Sequence, residues 1–306
     1  MGFEPNVNRT RNLLIWSQTR YHCATDPLGY SVSANEYESI LQQRQPLPTK
    51  HFVLVHGSCH GAWSWYKLVA MIKSSGHNVT AFDLAASGVE PQQVHNLRSI
   101  SDFFKPLIDF MAALPLDKKV ILVGHSYGGL AVAQSMERFP NKISVAVFVS
   151  ALKPGPDLNI STLNQEVPTT HQQGPLLDCK YAYDDGPDSP PTTFIFGPLY
   201  LKSTVYQLSP VEDWALATML MRPLGLFSEE DMSKELKLTW ERYGTVRRVY
   251  IISEKDLVTE KDLAMWMIKR NPPHQVEEIK DSDHMVMMSK PLELWAHLLS
   301  VAGNYS

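Results

Sequence analysis

The chain has 306 residues, 44% of them hydrophobic and 20% charged, and a formal net charge of −4. That length fits one large α/β domain or two small ones. No basic block favours nucleic acid, and no apolar run nears the roughly 20 residues that span a bilayer.

Residues 1–50 scatter Arg, Asn, Gln and Pro without a sustained period of 2 or 3.6, which predicts a poorly ordered N-terminal extension. Leu13 to Trp16 is too short for the core of a secretory signal, and Asn6 stands where N-myristoylation needs Ser or Thr. The sequons at Asn8, Asn78, Asn159 and Asn304 are therefore read as chance. In the first 25 residues, Arg9, Arg11 and Arg20 against the lone acid Glu4 also suit a transit peptide. The expected location is cytoplasmic, with the plastid as the alternative if residues 1–50 are such a peptide. Cys23, Cys59 and Cys179 are few, odd in number and widely spaced, which predicts free thiols and no metal site.

From His51 the pattern sharpens. Phe52 to Val55 is a short apolar run ending at His56-Gly57, and Trp63 to Ser75 has helical spacing stopped by Gly76. Val79 to Phe82 is the next strand and ends at Asp83. Phe103 to Leu114 reads as a helix, Val120 to Val123 as a strand, Leu130 to Phe139 as a helix and Ile143 to Val149 as a strand. From Pro154 to about Lys237 the alternation breaks into a stretch rich in Pro, Gly and Asp and then in aromatic residues. It is read as an insertion, about 155–237, that caps the sheet. The alternation resumes with a strand at Val246–Ile252, a helix at Lys261–Lys269, a strand at Val276–Ile279 and a helix at Pro291–Val301. Strands without polar alternation are buried on both faces, so residues 51–306 predict a mostly parallel sheet with helices on either side.

Gly124-His125-Ser126-Tyr127-Gly128 is a G-x-S-x-G between a buried strand and a helix. That context is the strand–turn–helix elbow, which holds a nucleophilic serine in a strained turn. A serine hydroxyl needs a base, and in this arrangement the acid and then the histidine follow, each after a later strand. His284 is the only histidine just after a late strand; His274 precedes that strand and His297 lies in the last helix. Asp256 is the candidate acid and Glu254 the alternative, while Asp281 and Asp283 read as loop residues too close in sequence to His284. The expected oxyanion donors are the backbone amides of Tyr127 and of Ser58, the latter in the loop His56–Gly61. Cys59 reads as a buried thiol.

These residues resemble the plant methylesterase / hydroxynitrile lyase family of α/β-hydrolases. The likeness is carried by His51–Gly57, Cys59–Trp63, Trp65–Leu68, Asp83–Gly88 and Val120–Ser126. In the insertion it is carried by Ser209-Pro210, Glu212-Asp213, Arg222-Pro223, Leu226-Phe227 and Glu241–Gly244, and near the end by Asp283-His284-Met285. It runs from about His51 to the C-terminus. The resemblance implies the α/β-hydrolase fold and hydrolysis of methyl esters of plant signals: methyl salicylate, methyl jasmonate or methyl indole-3-acetate. It implies Ser126, Asp256 and His284 as catalytic residues, Ser58 and Tyr127 at the oxyanion positions, no cofactor, and a homodimer. Lyase members carry threonine where this chain has Gly57 and lysine where it has Met285, and both differences favour the esterase. Alternatives are a lyase on the same scaffold, an alkaloid-pathway esterase and a non-catalytic hormone-binding protein. The expected partner is a small uncharged ester, with neither nucleic acid nor membrane.

Overall fold

A computed structural model describes residues 49–166 and 177–305. Apart from Thr49 and Lys50, the predicted extension lies outside the described residues.

The first four strands are β1 (His51–Val55), β2 (Asn78–Phe82), β3 (Val120–His125) and β4 (Ile143–Val149). Three short strands, β5 (Lys180–Ala182), β6 (Thr193–Ile195) and β7 (Leu224–Gly225), form a separate antiparallel sheet. Strands β8 (Arg248–Ser253) and β9 (Gln275–Ile279) rejoin the first four in a six-stranded sheet of order β2-β1-β3-β4-β8-β9, parallel throughout. The predicted α/β architecture is the observed one.

Successive residues of a strand point to opposite faces, and here both faces are apolar. Val53, Val55, Leu122, Ala146, Phe148, Tyr250 and Ile252 enter one core, whereas Phe52, Leu54, Ile121, Val123, Val145, Val147, Val249 and Ile251 enter the other. Three helices cover the first face. They are α2 (Ile100–Ala113) and α3 (Gly128–Arg138), which follow α1 (Tyr66–Ser74) in the chain, and the later α7 named below. Phe104, Leu107, Leu130, Val132 and Met136 make that packing, while Leu68 and Ile72 of α1 pack on the second face.

Between β4 and β8 lie α4 (Ile160–Glu166), a helical turn at Pro198–Tyr200 running into a π-helical turn at Leu201–Val205, α5 (Val211–Leu220) and α6 (Glu229–Glu235). Together with β5–β7 they form the cap. After β8 come α7 (Lys261–Arg270) and, at the end, α8 (Pro291–Asn304). Leu263 and Met267 of α7 join the first core; Leu294, Leu298 and Val301 of α8 join the second.

Three expectations need adjusting. Helix α2 begins three residues before Phe103 because Ser99 caps it: its hydroxyl accepts from the Asp102 amide at 3.1 Å. The segment before Tyr66 is a 3-10 turn, Ala62–Trp65, and the α-helix starts only after it. Strands β2 and β9 are not buried on both faces: among the described residues each pairs on one side only, and Val276 is 42% exposed.

Candidate active site

Strand β3 ends at His125, and the chain turns at Ser126 into α3. Ser126 has φ 53°, a left-handed conformation that L residues adopt at a cost of about 1–3 kcal/mol. The turn is held by the Ser126 amide donating to Val149 O (3.3 Å) and by Ser126 O accepting from Gly129 (3.1 Å) and Leu152 (3.0 Å). Residue 128 must be glycine because a Cβ there would strike the carbonyls of Val55 and His56. Gly57 leaves room for the serine itself: a Cβ on it would lie 2.7 Å from Ser126 Cβ and 3.3 Å from its Oγ. The predicted elbow is therefore present, with Ser126 at its tip.

Asp256 follows β8 and His284 follows β9, and both are 4% exposed. His284 Nδ1 lies 2.8 Å from Asp256 Oδ2, so the carboxylate fixes Nδ1 as the protonated nitrogen and leaves Nε2 with an open lone pair. Asp256 Oδ1 accepts from the amides of Val258 (2.7 Å) and Thr259 (2.9 Å), which orients the carboxylate. Glu254, the alternative acid, instead receives Lys280 Nζ (3.1 Å) and the Asp281 amide (3.0 Å) at the surface. The His284 ring stands 4.6 Å from that of His125, the residue before Ser126. His284 Nε2 has no hydrogen-bond partner among the described residues. Catalytic contacts of this kind often tighten only around substrate.

The loop His56–Gly61 runs beside the elbow. Neither the Ser58 amide nor the Tyr127 amide donates to a partner among the described residues. Cys59 is 3% exposed and burial pushes its thiol up to about 12, so it is inert as a nucleophile. His274 accepts from the Arg248 amide at 3.0 Å and His297 meets Glu277 at 3.4 Å, both away from this cluster.

Four buried groups escaped the sequence reading. His125 Nε2 donates to His284 O at 2.8 Å, bracing the backbone of the candidate base. His56 Nδ1 donates to Gly57 O (2.8 Å) and its Nε2 accepts from the Leu84 amide (3.0 Å). His60 sits between Ser58 O and Tyr206 Oη, each at 2.7 Å. Asp283, read as a loop residue, is fully buried and accepts from the Leu208 amide (3.0 Å) and Ser209 Oγ (2.8 Å) of the cap. The family-like residues of the cap also have partners. Asp213 accepts from Tyr66 Oη at 2.8 Å and pairs with Lys67, and Arg222 donates to Gln92 O at 2.7 Å.

The three neutral histidines make stability depend on acid. Burial lowers His56, lowers His60 to about 3, and holds His125 well below its ordinary value. Their folded affinity for protons is below that of the unfolded chain. Below pH 6.5 the unfolded state therefore binds protons that the native state refuses, and stability falls as pH falls. For His60 alone the loss between pH 6.5 and 5 is about 2 kcal/mol, and His125 and His56 add in the same sense. Asp283, raised by burial, acts in the opposite sense. Melting curves from pH 7.5 to 5 should show Tm falling steeply, with more than one proton taken up on unfolding near pH 5. A flat Tm across that range would contradict the assignment.

Among the described residues no helix is long and apolar enough to cross a membrane, and no group of His, Cys, Asp and Glu could hold a metal ion. Residues 52–298 match the alpha/beta hydrolase family. Methyl jasmonate esterase 1 of Vitis vinifera is 54% identical over 259 residues, 84% of this chain and 98% of that protein. Salicylic acid-binding protein 2 of Nicotiana tabacum is 43% identical over 257 residues, 84% of this chain and 98% of that one. Among solved structures, a histidine-to-alanine variant of tomato methylketone synthase I complexed with beta-ketoheptanoate is 50% identical with a TM-score of 0.81, covering 86% of this chain and 100% of that one. The chain belongs to the alpha/beta hydrolase family, in its plant methylesterase branch.

Proposed function

We propose that the chain is a serine carboxylesterase that hydrolyses methyl esters of small plant signal molecules: methyl jasmonate, methyl salicylate or methyl indole-3-acetate. The observation that carries this reading is the Asp256–His284 pair at 2.8 Å, its ring 4.6 Å from that of His125, whose neighbour Ser126 is held in a strained elbow. Ser126 Oγ attacks the ester carbonyl while His284 Nε2 takes its proton. The amides of Ser58 and Tyr127 stabilise the negative oxygen of the tetrahedral intermediate. Collapse expels methanol, which carries away the proton held by His284. Water then attacks the acyl-enzyme with His284 again as base, and the free acid leaves. Asp256 orients the imidazole and stabilises its charged form without taking the proton. The cap is apolar where it meets the body: Phe196 and Met221 pack against both cores, and Phe196 stacks on Tyr200 at 5.5 Å. An apolar cap suits a small uncharged ester selected by shape.

The lyase alternative lacks a charge to receive cyanide, since Met285 is an apolar side chain fully buried in the second core. The likeness to methylketone synthase raises a second reading, loss of carbon dioxide from a β-keto acid. Decarboxylation needs no nucleophilic hydroxyl, and the strained serine with its oriented base favours hydrolysis. Cytoplasmic location, with the plastid as the alternative if residues 1–50 are a transit peptide, is part of the proposal, and so is a homodimer, which is a family expectation. A panel of methyl jasmonate, methyl salicylate, methyl indole-3-acetate and β-ketoheptanoate, assayed for free acid and carbon dioxide, tests it. The expected result is free acid from at least one methyl ester; carbon dioxide alone would replace the esterase by the second reading.

A further inference from the structure

Four consecutive cap residues reach three separate loops of the candidate site. Tyr206 closes the π-helical turn by donating its amide to Leu201 O at 2.8 Å, and the Ser209 amide donates back to Tyr206 O at 3.1 Å. Tyr206–Ser209 is therefore a tight, internally bonded turn. Its first residue meets the oxyanion loop: Tyr206 Oη lies 2.7 Å from His60 Nε2, and His60 Nδ1 lies 2.7 Å from Ser58 O. A carbonyl only accepts, so Nδ1 carries the proton and Nε2 accepts from the tyrosine hydroxyl. The His60 ring lies 5.2 Å from that of Trp63 and 5.8 Å from that of Tyr206, nearly parallel to both, and is 3% exposed. The same loop meets the cap twice more, through Cys59 O accepting from the Arg222 amide (3.1 Å) and Cys59 Sγ donating to Phe194 O (3.4 Å).

The second residue reaches the acid's loop, where Gln207 Nε2 donates to Lys255 O at 2.7 Å, one residue before Asp256. The last two residues reach the base's loop: the Leu208 amide and Ser209 Oγ both donate to Asp283 Oδ2, one residue before His284. The acid's and base's loops are themselves joined by the Lys255 amide donating to Ser282 O at 2.9 Å.

We propose that the turn Tyr206–Ser209 is a brace that sets the oxyanion loop, the acid's loop and the base's loop in register, with His60, Tyr206 and Asp283 as positioning residues. The proposal rests on the esterase reading and deepens it. The cap is then more than a wall for the substrate: it holds the reacting groups of the body at their working distances. Hydrogen bonds of this kind act through geometry, and small misplacements of donors and base are felt chiefly in the transition state. Losing one should lower kcat and spare KM.

Tyr206→Phe keeps the aromatic ring and removes only the hydroxyl, and Ser209→Ala removes one of the two donors to Asp283. Each is to be measured for kcat, KM, Tm and inhibition by a trifluoromethyl ketone, whose hemiketal mimics the tetrahedral intermediate. The expected result is a fall in kcat of about tenfold for Tyr206→Phe, with KM within twofold and the inhibition constant rising in step with the loss. Ser209→Ala should behave alike but more mildly, because the Leu208 amide remains. Unchanged kcat and inhibition in both variants, with Ser126→Ala inactive, would overturn the brace and leave the esterase reading standing. A loss that tracks Tm and disappears on cooling the assay would overturn it too, since that marks a merely structural role. A wild-type chain that cleaves no ester would sink the esterase reading, and the brace with it.

Discussion

Asp256→Asn should lower kcat by about 10⁴-fold while KM changes little and the fold persists. The reason lies in the two oxygens of the carboxylate. Oδ1 accepts from the amides of Val258 and Thr259, so in the asparagine that position must remain the carbonyl oxygen. The amide NH₂ is then forced toward His284 Nδ1, where Oδ2 now sits at 2.8 Å. An NH₂ can only donate, so Nδ1 must become the acceptor and the ring proton moves to Nε2. A protonated Nε2 cannot take the proton of Ser126. Steady-state kinetics on a methyl ester, with circular dichroism as the check on folding, decide the matter. Glu254→Gln is the control: Glu254 bonds to Lys280 and to the Asp281 amide at the surface, so its loss should leave kcat within about twofold. If the effects of the two substitutions were reversed, Glu254 would be the acid.

The strands that carry the site were legible because each is a short apolar run bounded by turn residues, and the serine was legible because a tight turn after such a run leaves few choices of residue. His284 could be proposed from order alone, as the histidine that follows the last strand, and order narrowed the acid to Asp256 or Glu254. Preference for Asp256 over Glu254 came with a physical cause only in the structure, where one carboxylate is buried against the imidazole and the other is at the surface. The partial exposure of β2 and β9 was not legible, because a strand's place at the edge depends on which other strands it pairs with.

The supporting polar residues were hidden for the same reason. His125 reads as the variable position of the elbow motif, yet it bonds to a carbonyl 159 residues away. The His60–Tyr206 contact spans 146 residues and the Leu208–Asp283 contact 75. No local period or spacing marks such pairs. One signal was present: a histidine two residues beyond Ser58, and an aspartate just before His284, are polar side chains in stretches that the fold buries. Buried polar groups need partners, so each could have been flagged as bonded, though not to what. Asp213 and Arg222 were quoted among the family-like residues without a role, and their bonds to Tyr66, Lys67 and Gln92 supply one, tying the cap to the body.

The most direct test of the nucleophile is Ser126→Ala, compared with wild type for hydrolysis of a nitrophenyl ester and for the mass added by a fluorophosphonate. The wild-type chain should hydrolyse the ester and gain one adduct, on the peptide that contains Ser126. The variant should lose activity by about 10⁴-fold or more and gain no adduct, while its Tm stays at or near the wild-type value. A variant that keeps wild-type turnover, or that takes up the adduct as fast as wild type, would contradict the assignment of Ser126.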